Sequence, residues 1–369
     1  MLRKYSHLVI AAQATLAPVA IMAQEPHTPV AKVPDATKAQ ELKIAQGTLL
    51  APKAFRAAAK KVLPSLVTIE GIGGLATGVS AAGIQAPGEG PTTGVILSSD
   101  GYIVTSTFNF IRKPPIITVT LPTGERKVAQ LLGRDETRKI CLLKVEGVNN
   151  LQPPEWVDRK ELRVGQWAVA LGIGFGGNEP ALTAGIISAT SRIGAKAIQT
   201  DANLSPANYG GPLIDLDGRV IGICVPLNPQ SREEGSGVDW YDSGIGFAIP
   251  IAGNEKVIEA LKAGKTLQAA FLGVQSEPRG TPPTGAHVRQ VVPKSPAETA
   301  GIKAGDKLHA IDGTEILDVP HLQSIIARYN AGDRVTITVH RGEEKLDLIA
   351  EFTVPPVQPR PRPMPERKP

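Results

Sequence analysis

Hydroxyl or thiol attack on a carbonyl needs three parts: a nucleophile, a base within hydrogen-bond reach of it, and a group that orients the base. The loop TDANLSPANYGGPLIDLDG, residues 200–218, offers hydroxyls at Thr200, Ser205 and Tyr209, beside the glycine pair Gly210–Gly211 and Pro212. The usual base is histidine, and the chain has six: His7, His27, His287, His309, His321 and His340. None lies between residues 28 and 286. Neither a Ser–His nor a Cys–His pair can be assembled within that stretch, whatever its register. The two cysteines, Cys141 and Cys224, sit inside the apolar runs KICLLKV and VIGICV and read as buried core thiols. An exported chain permits a disulfide between them, but the sequence does not pair them. They lack the spacing of a zinc site, so no metal and no cofactor is expected.

The surrounding sequence is mostly β. Apolar runs recur at short intervals: GVILSS, GYIVTST, ITVTLP, KVAQLLG, ICLLKVEG, QWAVALG, LTAGIISAT, AIQTD, PLIDL, RVIGICV and GIGFAIP, with DG turns at 100–101 and 217–218. Short strands punctuated by turn dipeptides indicate a barrel or sandwich. FRAAAKKVLPS (55–65) has a helical pattern stopped by Pro64, and IAGNEKVIEALKAG (251–264) a helix closed by Gly264. A second unit follows, with strands in FLGVQSE, AHVRQVV, KLHAIDG, RVTITVHR and LDLIAEFTV, a short helix in SPAETAGIKAGD and a longer one over 319–329.

The formal net charge of +5 resides at the two ends. Arg3 and Lys4 begin the chain, and the Pro-rich tail holds Arg360, Arg362, Arg367 and Lys368 against Glu366, which leaves residues 5–359 near neutral. Without a basic stripe on the folded body, nucleic acid is not an expected partner. MLRKYSHLVIAAQATLAPVAIMAQEP has a basic start, an apolar middle and a small residue at Ala23. It reads as a secretory signal over 1–23, so export to the periplasm or the extracellular space is expected, with a membrane role only if the segment stays uncleaved. Residues 24–53 read as a polar linker.

Residues 54–355 resemble an HtrA-type secreted serine protease with one PDZ domain. The resemblance rests on GVILSSDGYIVT, VTLPTGERKVAQLLGRDETRKICLLKV, LRVGQWAVALG, IQTDANLSPANYGGPL, GRVIGI and GIGFAIP, then on FLGV and SPAETAGIKAGDKLHAIDG. It implies a chymotrypsin-like double β-barrel over 54–265, a PDZ domain over 266–355 and a Pro-rich basic tail over 356–369. It also places the three catalytic positions, and none holds its usual residue. The histidine position falls on Phe108 in TSTFNF, the aspartate position on Lys139 in RKICLLKV, and the nucleophile position on Tyr209. Phenylalanine accepts no proton, lysine inverts the charge that would stabilise an imidazolium, and the phenol of tyrosine has an unperturbed pKa of about 10. The oxyanion frame is backbone, formed by the amides of Ala207 and Tyr209 with the turn at Gly210, and Ala207 stands where the family usually has glycine.

The leading expectation is therefore a pseudoprotease that binds peptide C-termini or misfolded polypeptides in protein quality control without cutting them. One alternative is a Ser–Lys endopeptidase in which Lys139 acts as base toward Ser106, Thr107 or Ser205. Another is a non-catalytic regulatory subunit that joins active relatives. HtrA-type proteins commonly form trimers through N-terminal aromatic contacts, for which Phe55 is the nearby candidate here. In the PDZ unit the resemblance implies a carboxylate loop of Phe271, Leu272, Gly273 and Val274, with His321, Leu322 and Ile325 facing the peptide from the helix. Trp240 and Tyr241, in the loop before GIGFAIP, occupy the place of a specificity loop and are expected to pack onto their own domain.

Overall fold

The computed structural model describes residues 50–74, 91–173, 180–228, 243–276 and 286–356. The signal-like segment, nearly all of the linker, the Trp240–Tyr241 loop and all but the first residue of the Pro-rich tail lie outside them. The chain enters through a helix over residues 50–62, α1, four residues ahead of the boundary expected at 54. Ala51, Lys53 and Ala54 favour the helix. Pro64 then sits at the start of a single 3-10 turn, Leu63–Ser65. Ala58, Ala59 and Val62 face inward.

Two six-stranded barrels follow. The first comprises β1 (Leu66–Ile72), β2 (Thr92–Ile96), β3 (Tyr102–Ser106), β4 (Ile116–Thr120), β5 (Arg126–Asp135) and β6 (Ile140–Val145). Its order is β5-β4-β1-β2-β3-β6, closed by pairing of β5 with β6. The second comprises β7 (Trp167–Gly172), β8 (Ala181–Arg192), β9 (Ala197–Thr200), β10 (Pro212–Ile214), β11 (Val220–Val225) and β12 (Gly246–Ile249). It closes in the order β10-β11-β12-β9-β8-β7. Closure leaves no sheet edge, and it explains the sequence pattern. Strands β2 and β11 are buried along their whole length because one face fills a barrel and the other packs on the neighbouring barrel or on helices. That is why they read as unbroken apolar runs and not as alternating ones.

Helix α2 (Glu255–Lys262) lies across the first barrel and leads into the second unit. Val257, Ile258 and Leu261 join a core that also contains α1 and residues of both barrels. A two-residue strand, β13 (Thr266–Leu267), then pairs in parallel with Arg134 and Asp135 of β5. The first two residues assigned to the PDZ unit from sequence thus belong to the barrel sheet. Beyond them the PDZ fold is built from β14 (Val274–Ser276), β15 (Ala286–Val291), α3 (Pro296–Thr299), β16 (Lys307–Ile311), β17 (Thr314–Glu315), α4 (Val319–Ile326), β18 (Arg334–Arg341) and β19 (Glu344–Glu351). Its sheet runs β14-β15-β16-β18-β19, with β17 off β16. Cys141 and Cys224 are free, fully buried thiols in different strands. Burial pushes the pKa of both well above the ordinary thiol range.

Gly133 of β5 is the point at which α2 touches the barrel: a Cβ there would lie 2.5 Å from the Leu261 carbonyl oxygen and 2.8 Å from that of Lys265. Backbone on both sides cannot give way as a flexible side chain would. Gly133→Ala is expected to destabilise the barrel unit by about 2 kcal/mol in denaturant unfolding, the usual cost of overpacking. Gly165→Ala, in a turn where a Cβ meets nothing within 4 Å, is the comparison. It also has positive φ, so it should cost about 1 kcal/mol from backbone strain alone.

Candidate functional site

The three positions singled out by sequence lie near the seam between the barrels. Ser106 ends β3 and caps a 3-10 turn, Thr107–Phe110, by accepting from the Phe108 amide at 3.3 Å. Its hydroxyl donates to the Lys139 carbonyl at 3.2 Å, and the Thr107 amide donates to the same oxygen at 2.9 Å. Lys139 presents that carbonyl from a left-handed backbone, φ 56, one residue before β6. The aromatic ring of Phe108 meets Tyr209 edge-on, with centroids 5.2 Å apart and planes at 74°. Each residue is only 3% exposed, and both join a core cluster with Ala168, Ile198, Leu213 and Cys224 of the second barrel. Phe108, carried by the first barrel, is therefore packed into the second.

A ladder of polar contacts crosses the seam beside this pair. The Ile173 amide donates to Thr93 Oγ1 at 2.6 Å, Thr105 Oγ1 donates to the Thr93 carbonyl at 2.7 Å, and Asn109 Nδ2 donates to Thr105 Oγ1 at 2.9 Å and to the Tyr209 carbonyl at 3.3 Å. Thr93, Thr105 and Asn109 are all buried, so each contact replaces solvation lost on folding. The sequence reading passed over these residues; their signal was the threonine and asparagine content of TTGV and TSTFNF, polar side chains in otherwise apolar strands.

The loop that carries Tyr209 is fixed from both sides. The Asn208 amide donates to the Ser205 carbonyl at 2.8 Å, and Asn208 Oδ1 accepts from the Ser205 amide and hydroxyl, each at 3.1 Å. At Gly210, φ +87, a Cβ would approach Thr105 Oγ1 to 2.2 Å; at Gly172 a Cβ would lie 1.9 Å from the Ala207 carbonyl oxygen. The Gly210 amide donates to the Cys224 carbonyl at 2.8 Å and is taken up by β11, so Gly210 contributes its turn and not a free donor. Beside Tyr209, a recess lined by Leu204, Val225, Leu227, Ile245 and Phe247 has a volume of about 10 Å³. That is room for no more than a single water.

Of the hydroxyls considered as partners for Lys139, Ser106 bonds to the lysine's carbonyl and Ser205 to Asn208. Lys139 itself, 7% exposed, also lines a cleft of about 850 Å³ between the barrels and the PDZ unit, with Thr137, Lys196, Gln268, Gln323 and Tyr329. Asp135 and Arg138, in the charged run RDETRK, form a buried ion pair at 2.7 Å near this cleft. Sequence reading did not single them out, because charged residues between two strands ordinarily mark an exposed turn.

In the PDZ unit the loop FLGV is held by backbone pairing. Phe271 exchanges hydrogen bonds with Thr353 at 2.9 and 3.2 Å, the Leu272 carbonyl accepts from Ala297, and the Gly273 carbonyl from Val292. Gly273 has φ +86, and a Cβ would strike Ser295 Cβ at 2.2 Å. Phe271, Val274 and His321 are partly exposed. Leu272, Leu322 and Ile325 are at most 2% exposed and belong to the domain core. The His321 ring is anchored at the start of α4 by the Leu317 amide, which donates to Nδ1 at 3.3 Å. Among the described residues no group of three or more His, Cys, Asp or Glu side chains is placed to hold a metal ion.

The profile of the trypsin-like peptidase domain matches residues 92–223, and that of the PDZ domain residues 270–351. A protein of Synechocystis sp. named as the serine protease HhoA is 32% identical over 289 residues, which cover 71% of this chain and 70% of that protein. This chain belongs to the HtrA family. A protein of Marinomonas sp. named as a DegP-like periplasmic serine endoprotease is 33% identical over 282 residues, 73% of this chain and 58% of that relative. The chain spans little more than half the length of the DegP-like relatives it matches. Among solved structures, the HtrA-type protease AlgW with a decapeptide superposes with a TM-score of 0.61 at 26% identity, over 82% of this chain and 99% of that one. The serine endoprotease from Yersinia pestis gives 0.58 at 25% identity, over 81% and 97%.

Phe108→Ala is expected to destabilise the barrel unit by about 4 kcal/mol, the cost of an aromatic-sized cavity. A double-mutant cycle of Phe108→Leu with Tyr209→Leu should return a coupling of about 1 kcal/mol for the edge-on ring contact. Both are read by denaturant unfolding; a coupling of zero would mean that the rings are not in contact in solution.

Proposed function

We propose that this chain is an HtrA-family member that has given up peptide-bond hydrolysis and works as a peptide-binding protein. The observation that carries the reading is the buried ring pair of Phe108 and Tyr209, at the positions where the family resemblance puts the base and the nucleophile. A functioning site needs a polar space there for an imidazole, a hydroxyl and a substrate carbonyl at hydrogen-bonding distance. Here the space is taken by two aromatic side chains whose burial stabilises the seam by about 5 kcal/mol together. With no histidine between residues 28 and 286, no base of the usual kind can reach the loop. What remains of the protease is its frame, and a frame without its reacting groups gives the fold and not the rate.

Binding falls to the PDZ unit. Strand β14 lies at the end of its sheet, behind a turn at the left-handed Gly273, and a sheet edge of this kind can receive a peptide C-terminus as an added strand. The ligand is a polypeptide C-terminus with an apolar last residue, laid along β14 beside the partly exposed Phe271, Val274 and His321. Unfolded chains supply such ends, which supports a role in quality control. Relatives are named periplasmic, and the basic, apolar, small-residue pattern over 1–23 supports export to the same compartment.

Two experiments test the two halves. Substituting Phe108→His, Lys139→Asp and Tyr209→Ser together should create labelling by a fluorophosphonate probe at position 209 in a protein that the wild-type barrel leaves unlabelled. Labelling of the wild type would contradict the reading. For the PDZ half, a fluorescent peptide ending in a free apolar residue should bind more than tenfold tighter than its C-terminal amide, as expected for loss of charge-assisted hydrogen bonds worth about 2 kcal/mol. Gly273→Val should abolish that preference, and equal affinity for acid and amide would remove the C-terminal ligand.

A further inference from the structure

The outer face of the PDZ sheet carries a row of nitrogen side chains that the peptide groove does not account for. His287 of β15 stands directly opposite Lys307 of β16, Lys307 opposite His340 of β18, and His340 opposite Lys345 of β19. Directly opposed residues of an antiparallel ladder share a face, so these side chains form one line across the sheet. Their chain neighbours Val288, Leu308 and Val339 are buried in the core, which puts the line on the solvent side. His309 joins it. The ladder between β16 and β18 shifts register between Leu308 and Ala310, and the His309 ring lies against that of His340 with centroids 4.9 Å apart. His287 and Lys345 are exposed, while Lys307, His309 and His340 are half-buried.

The fixed charges around the row nearly balance. Arg289 on β15, Lys307 and Lys345 are set against Glu315 on β17, Glu343 in the turn before β19 and Asp347 on β19. The Asp347 carboxylate accepts from the Thr338 hydroxyl at 2.7 Å. Arg334 is paired with Glu351 and Arg341 with Asp306, each at 2.8 Å, and Arg341 also stands opposite Glu344. The imidazoles therefore decide the sign of this face. An imidazole changes its charge between about pH 8 and pH 5, so mild acid turns a near-neutral face cationic.

The row begins where the groove ends. β14 and β15 run antiparallel, with Val274 opposite Val291 and Ser276 opposite Val288. A polypeptide whose C-terminus is held near Gly273 and which lies along β14 passes Ser276 at the His287 end of β15. Successive strands are about 4.8 Å apart, so the row is about 15 Å long, which an extended chain covers in about five residues.

We propose that the PDZ unit selects C-termini preceded by an acidic stretch, which His287, Lys307, His309, His340 and Lys345 receive in mild acid. This rests on the reading of β14 as the groove for a peptide end. The ligand's carboxylates fall at about the fifth to ninth residues from its terminus. They stay ionised down to about pH 5, below the point at which the imidazoles begin to charge, so attraction grows as the pH falls from 8 to 6.

The test uses the whole chain and four fluorescent peptides with the same apolar last residue. The upstream stretch is glutamate or glutamine, and each version ends in a free acid or an amide. At pH 6 the glutamate acid should bind about fivefold tighter than the glutamine acid, and at pH 8 about equally, as expected for a few exposed ion pairs. His287→Gln with His309→Gln should remove the advantage at pH 6. If that variant does not fold, the exposed Lys345→Gln should reduce it about twofold. Equal binding of the glutamate and glutamine acids at pH 6, with acid still preferred over amide, overturns the row and leaves the groove. A glutamate advantage with acid and amide bound equally removes the groove and keeps the row. An advantage unchanged at pH 8 and in the histidine variant overturns the proposal. So does binding of phosphatidylglycerol vesicles at pH 6 with no glutamate advantage, which would assign the face to a lipid surface.

Discussion

Two aromatic rings meeting edge-on at 5.2 Å set the character of this molecule. In a double barrel the groove between the halves is where each contributes one part of a reacting group, so the groove must stay polar and open. Phe108 comes from the end of β3 and Tyr209 from the loop before β10, yet both are counted in the second barrel's core. The contact turns a groove into a seam. Burial of the pair lowers the free energy of the assembled barrels, and the same burial removes the volume in which a substrate carbonyl would sit. On the proposed reading, stability and loss of chemistry are two consequences of one packing event.

The path of the loop is fixed for a reason unrelated to reactivity. Gly172, Gly210 and Gly211 each face backbone or side-chain atoms within about 2 Å of where a Cβ would be, so the path of residues 207–211 is dictated by close approach to β3 and β7. The Thr93–Thr105–Asn109 ladder clamps the same loop by its Tyr209 carbonyl. Replacing one of the loop's glycines would cost a steric clash. The motif ANYGGPL therefore survives as a record of packing, and its presence says nothing about turnover.

Much of this was legible beforehand, and the gaps have physical causes. Barrel strands such as β2 and β11 announced themselves as apolar runs between turn dipeptides because they are buried on both faces. The short strand β13 did not, since two residues carry no periodicity and its pairing with β5 is decided by where α2 ends. Residues 50–53 were read with the polar, Pro- and Lys-containing linker before them, yet they are helical, since composition alone does not mark where a helix begins. In the PDZ unit, apolar residues on α4 could have faced either a ligand or the core; Leu322 and Ile325 went to the core because the helix turns that stripe onto the sheet. Asp135 and Arg138 were hidden for the opposite reason. Their charges suggested solvent, and only the fold shows that they are enclosed.

The central claim is that no group in the barrel pair can move a proton off a hydroxyl and onto a departing amine. It is tested most directly by incubating the wild-type chain, purified free of other hydrolases, with an unfolded casein and following new peptide termini by mass spectrometry. The account predicts a rate of cleavage no greater than in buffer alone. Cleavage above that level, abolished by Lys139→Ala in a protein that still folds, would contradict it and put a lysine base at the seam.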